Sequence, residues 1–158
     1  MSEIVSEHCL IQRDRQMKDI EKWPETDEGE YLGFRWHMRR PYKTYWCGYV
    51  DTSSADVEDF LDVDCNNGNN HDILDSIAHG GLTGVYKGMI GFDCSHYHDF
   101  WIDEDGRVGK LALNEGTVYR DHDYVLSCIK NMIEFLSDGV MRVESSASVE
   151  SEESEESI

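Results

Sequence analysis

Between His79 and Asp99 the chain gathers three histidines, a cysteine and two aspartates around a glycine-rich segment. No other stretch collects so many groups able to move protons, attack carbonyls or bind metal. Cys94, His96 and His98 alternate; on a strand they would share one face, with Asp93, Ser95, Tyr97 and Asp99 on the other. Three such ligands in a row fit zinc if His79 or another loop residue completes the set. A Cys94 thiolate beside His79 or His96, with Asp93 or Asp99 orienting the imidazole, would be a nucleophile. His79, His96 and Asp99 could equally run acid–base or metal-assisted hydrolysis. Gly80 and Gly81 can take φ > 0 and would let backbone amides close on a cofactor or ligand. Each reading has a plain structural counterpart, a tight turn with a satisfied histidine and a buried cysteine. The residues alone leave the reaction and the metal open.

Other groups compete less well. The run Asp62-Val63-Asp64-Cys65-Asn66-Asn67 starts like a calcium loop, but its sixth position is Asn67 rather than Gly, and Ile73 stands where a bidentate Glu is needed. Trp36, Tyr45, Trp46 and Tyr49 could stack a base or sugar, although strand aromatics are usually core. Arg35, Arg39 and Arg40 make the one basic patch, which reads best as a solvated hairpin tip and otherwise as a phosphate contact.

The elements that must position these groups follow from pattern. Leu10, Ile11, Met17 and Ile20 predict a short amphipathic helix over 8–22, stopped by Pro24 and the acidic residues 25–29. The β-formers of 31–38 and 44–50, broken at Arg39-Arg40-Pro41-Tyr42, predict an antiparallel hairpin. Ser53 and Ser54 can cap a helix over Asp56 to Leu61. A polar loop over 62–72 leads to a short helix at Ile73 to Ala78. Val85 to Cys94 reads as one strand interrupted by glycines. Residues 100–102 and 108–113 flank the turn Asp103-Glu104-Asp105-Gly106. Val125, Cys128, Ile129, Met132 and Leu136 form one apolar stripe, so a helix is expected over about 121–137, with Gly139 as its cap.

Composition bounds the partners. The 158 residues carry 33 acids against 14 bases, a formal net charge of −19. Setting aside the six glutamates of the last fifteen residues leaves 27 acids against the same 14 bases. So acidic a body repels phosphate backbones and anionic membranes, which argues against direct nucleic-acid binding. No window reaches the apolar length of a membrane span. Five scattered cysteines and a start with neither basic nor apolar run predict reduced thiols in a cytoplasm. The Ser/Glu segment 144–158 cannot bury enough to order itself and is expected to be a disordered tail.

The combination of Trp46-Cys47-Gly48-Tyr49-Val50, His79-Gly80-Gly81-Leu82-Thr83, Gly91-Phe92-Asp93-Cys94-Ser95-His96 with Asp99, and Tyr119 to Val125 resembles an uncharacterised family of bacteriophages, prophages and bacteria. The resemblance spans roughly residues 30–137. It implies a small intracellular α+β domain with the motif order C-G-Y-V, H-G-G-L-T, G-F-D-C-x-H-x-x-D and a final helix, and it implies no substrate. On it, His79, Cys94, His96 and Asp99 fall on the family's positions. His98 stands where a small residue is usual and leaves the site. Met89-Ile90 replaces an aromatic pair.

The expected fold is therefore α+β: an N-terminal helical segment (1–29), a core domain of antiparallel strands with a C-terminal amphipathic helix (30–143), and the tail (144–158). The expected function is a small enzyme or ligand-binding domain of phage or mobile-element type, with catalytic His79, Cys94, His96 and Asp99. It would hydrolyse or bind a nucleotide-like small molecule. The competing expectation is an acidic interaction protein that binds a basic host protein, with a purely structural central motif. The two differ in whether His79→Ala costs activity or stability.

Overall fold

The computed structural model describes residues 6–65, 68–86, 88–103 and 116–156, with the side chains of Cys65, Val85, Tyr86 and everything beyond Arg142 left out. Its frame is a five-stranded antiparallel sheet in the order β1-β2-β3-β7-β6. These strands are β1 (Thr26–Tyr31), β2 (Phe34–Arg39), β3 (Cys47–Asp51), β6 (Gly84–Tyr86) and β7 (Met89–Asp93). Two short pairs stand apart: β4 (Asp64–Cys65) with β5 (Gly68–Asn69), antiparallel, and β8 (Asp99–Phe100) with β9 (Val118–Tyr119), parallel. The helices are α1 (Glu7–Lys22), α2 (Ala55–Leu61), α3 (Asn70–Ile77) and α4 (His122–Glu156). The fold is α+β, as composition and pattern imply.

The hairpin of β2 and β3 forms where the β-formers place it, with Trp36 opposite Val50 and Met38 opposite Gly48. Met38, Val50, Ile90 and Phe92 build the core with Val125, Ile129, Met132, Ile133 and Leu136 of α4. The stripe read from the sequence is thus the buried face of that helix. Asn69 caps α3 through a reciprocal pair with Asp72, so the polar loop ends three residues earlier than its composition implies.

Other expectations change. Helix α1 stops at Lys22, before Pro24 as expected, and the acidic residues that follow form the edge strand β1, where charge guards an exposed edge against pairing with other chains. Val85 to Cys94 is two strands, β6 and β7, turned at Gly88, with Cys94 beyond the end of β7. Gly139 does not cap α4, which runs on through it. A β-carbon there would lie 2.0 Å from the Phe60 ring, so glycine lets α2 sit close against α4. The bounds of α4 take in residues 144–156, for which composition predicts disorder; there the description concerns backbone alone. The turn expected at 103–106 and the strand at 108–113 fall almost wholly outside the described residues.

The largest departure is α1. A helix forms where expected, but with its polarity reversed. Gln12, Gln16 and Asp19 are buried, while Leu10, Ile11 and Met17 are about half exposed (50%, 51% and 47%). The inward face is held largely by hydrogen bonds, with Cys9 packing against Phe100, Ile102 and Tyr119. Gln16 donates to the carbonyls of Lys43, Thr44 and Ile102 and accepts from the Ile102 amide. Gln12 accepts from the Tyr119 amide. Asp19 is the centre of a buried network. Its carboxylate accepts from Arg40, Trp46 and Tyr119 at 3.0, 2.8 and 2.6 Å, and from the His122 amide. Arg40 is therefore not at a solvated hairpin tip. It is 1% exposed, paired with Asp19 and stacked 4.4 Å over Trp46. His122 in turn stacks on Trp23 and reaches Asp27 at 2.7 Å.

Candidate functional site

His79 sits just after α3, where Ala78 leaves the helix and Gly80 and Gly81 turn the chain with φ of 67° and 91°. The second segment of the site, residues 94–98, is a turn and not a continued strand. Asp93 accepts from the amide and hydroxyl of Ser95. The His96 carbonyl takes the Asp99 amide, and the Asp99 carboxylate takes the His96 amide at 2.9 Å. That reciprocal pair folds Asp99 back under His96. The expected alternation of Cys94, His96 and His98 on one strand face does not occur.

Three of the four expected residues converge. His79 Nε2 lies 2.8 and 2.9 Å from the two oxygens of Asp99, and the His79 and His96 rings are 5.7 Å apart, edge to face. His96 Nδ1 lies 3.4 Å from Asp99 and 3.7 Å from Asp93. One ligand atom from each of His79, His96 and Asp99 falls within 4.8 Å of the others. The reason for Gly80 is visible here. A β-carbon on it would meet the His96 ring at 2.5 Å, so the glycine admits His96 into contact with the His79 turn. The space over Gly80 is thus filled by protein. Beside Gly81, Asp75 binds the Leu82 amide. Gly80 thus makes room for a side chain, while a β-carbon on Gly81 would meet Asp75 only at ordinary contact distance, and what Gly81 needs glycine for is its φ of 91°.

Cys94 does not join the cluster as a nucleophile would. It is 1% exposed and belongs to the core with Phe92 and Cys128. Burial, with the charge of Asp99 adding to it, pushes its thiol well above its ordinary value, the opposite of activation. Cys128 is likewise raised by burial. His98 is exposed, and its carbonyl bonds the Val118 amide.

Two residues that sequence reasoning passed over complete the site. The Tyr124 hydroxyl lies 2.7 Å from His79 Nδ1, and Arg120 Nε donates to Asp99 at 3.0 Å. Arg120 lies just before α4 and Tyr124 in its first turn, and the Arg120 guanidinium stacks 4.9 Å from the Tyr124 ring. Burial pushes the Tyr124 phenol up to about 12, with the Cys128 thiol adding to it. Asp99, 1% exposed, is pulled two ways. Burial acts upward on its carboxyl, and the bonds from His79, the His96 amide and Arg120 together outweigh it, leaving the carboxyl below its ordinary value. Tyr124, His79, Asp99 and Arg120 thus form one chain of contacts. Between His79 Nε2 and the Asp99 carboxylate two electron-rich atoms face each other, so a proton or a cation must lie there. His96 Nδ1 is buried and has no hydrogen-bond partner. Such an atom is a donor or ligand without its counterpart.

No known protein family, curated protein or solved structure matches the chain. Among the described residues no helix is long and apolar enough to cross a membrane.

Proposed function

We propose that His79, His96 and Asp99 hold a divalent cation, zinc by the chemistry of the donors, and that the protein is a small metal-dependent hydrolase of the phage or mobile-element type. One observation carries the reading: donor atoms from two turns meet within 4.8 Å, and His96 Nδ1, buried near Asp99, makes no hydrogen bond. Two imidazoles and a carboxylate are a zinc set that leaves a position for water, whose acidity the ion raises enough to make it a nucleophile near neutral pH. Tyr124 on the other nitrogen of His79 fixes the ring as outer partners of metal-bound histidines do. Arg120 does the same for the carboxylate. Nucleotide-like small molecules remain the proposed substrates, and Cys94 has no part in the chemistry.

The test is zinc titration of dialysed protein by calorimetry, with metal analysis after gel filtration. One equivalent should be retained by the native chain and lost in His96→Ala, whose far-UV spectrum should be unchanged. No stoichiometric binding of zinc or manganese would sink the reading and leave the Tyr124–His79–Asp99 chain as a metal-free proton relay.

The second reading is an interaction protein. It is favoured by α1, which turns Leu10, Ile11 and Met17 to solvent.

A further inference from the structure

We infer that Arg120 is the anion-binding half of this site, and that the substrate presents a phosphodiester-type oxyanion. The inference rests on the cation reading of His79, His96 and Asp99. In a chain with 33 acids and 14 bases, Arg120 is the base held against this cluster, on Asp99. Two contacts fix it: Nε on Asp99 at 3.0 Å, and the guanidinium carbon 4.9 Å from the Tyr124 ring centre. Neither contact uses the two terminal nitrogens, which have no hydrogen-bond partner among the described residues. The side chain is 21% exposed, and its Nε is anchored on Asp99. A guanidinium held by one edge and open at the other can direct its free N–H groups at an oxygen of an anion.

Charge selects the class. Asp99 and Asp93, the acids nearest His96, stand against Arg120. Adding a divalent ion leaves one net positive charge in the cluster. A phosphodiester matches it, with one negative charge and two free oxygens: one oxygen for the cation and its neighbour for the Arg120 fork. A phosphomonoester dianion would overshoot, and a carboxylate is flat and lacks the tetrahedral spread that bridges two cationic centres.

The experiment titrates bis(4-nitrophenyl) phosphate, inorganic phosphate and acetate into zinc-loaded protein, for the native chain, Arg120→Lys and Arg120→Gln. The lysine variant keeps a charge beside Asp99 and guards against loss of fold; near-UV spectra check both variants. The diester should bind most tightly. Arg120→Lys should weaken it about 10–100-fold when measured at saturating zinc, because Arg120 also steadies the Asp99 ligand. Diester binding unaltered in both variants, or acetate binding as tightly as the diester, overturns the inference while the cation site stands. If zinc does not bind but the metal-free protein binds the diester in an Arg120-dependent way, the anion site stands and the cation reading fails. If neither zinc nor the diester binds, both fall.

Discussion

At the scale of single residues, the site turns on which side chains reach the surface. Cys94 and His96 are two apart, yet one is 1% exposed and the other has a side chain 29% exposed. The thiol consequence is direct: both Cys94 and Cys128 should react slowly with iodoacetamide in the folded protein and rapidly in denaturant. Fast native alkylation of Cys94, read by mass spectrometry, would restore it as a nucleophile. The convergence of His79 with His96 and Asp99 was legible from residue types, because histidines and carboxylates grouped around turn-forming glycines have few reasons to be apart. Arg120 and Tyr124 were not legible. Nothing in their neighbourhood distinguishes them from a charged helix start until the fold brings α4 over the His79 turn.

At the scale of elements, α1 shows where pattern reading fails. The period of Leu10, Ile11 and Met17 located the helix correctly and faced it wrongly, because periodicity reports a stripe and not what the stripe meets. The inward face meets buried backbone groups of residues 43, 44 and 102, which the Gln16 amide satisfies. Replacing Gln16 with leucine, apolar and of similar size, should therefore destabilise by about 2–4 kcal/mol, since it strands buried carbonyls and an amide. In a thermal melt that is a fall of roughly 5–15 °C. Leu10→Ser should stay within about 0.5 kcal/mol of the native chain. Equal effects would mean the helix is seated the other way round. Gly139 offers a second check in α4. Alanine there gains about 1 kcal/mol of helix propensity on an open surface, but its β-carbon meets the Phe60 ring. Gly139→Ala should lose a net 1–3 kcal/mol or so through overpacking. A stabilised variant in a urea titration would show that α2 does not lie against α4.

At the scale of the whole molecule, two polar clusters tie the sheet to its helices. The Asp19 network joins α1, Arg40 after β2, Tyr119 of β9 and the start of α4. Burial, then the bond to Asp19 and its charge, raise the Tyr119 phenol far above its ordinary value. Because the folded value lies above the unfolded one, this contribution to stability is complete below about pH 10 and is lost as pH climbs beyond it. Tyr119→Phe should lower stability at neutral pH yet flatten the decline between pH 9.5 and 11, roughly the window of tyrosine ionisation. Identical alkaline slopes for the two proteins, followed by circular dichroism, would exclude Tyr119 as the titrating group. Tyr31, Tyr45 and Tyr124, also raised, keep the variant's slope from vanishing.

The seating of α1 also sets an order on events during synthesis. Its partners Ile102, Tyr119 and His122 follow Gln16, Gln12 and Asp19 by 86, 107 and 103 positions. The helix emerges before all three and is fully anchored only after them. Until then Gln12 has no buried partner, and Gln16 and Asp19 have only groups of residues 40–46. Contacts so distant in sequence form late, after their loops have closed. Helix α1 therefore waits on partners from residue 102 onward, and a nascent chain stopped before residue 102 should leave α1 open to protease while the hairpin of β2 and β3 is already made.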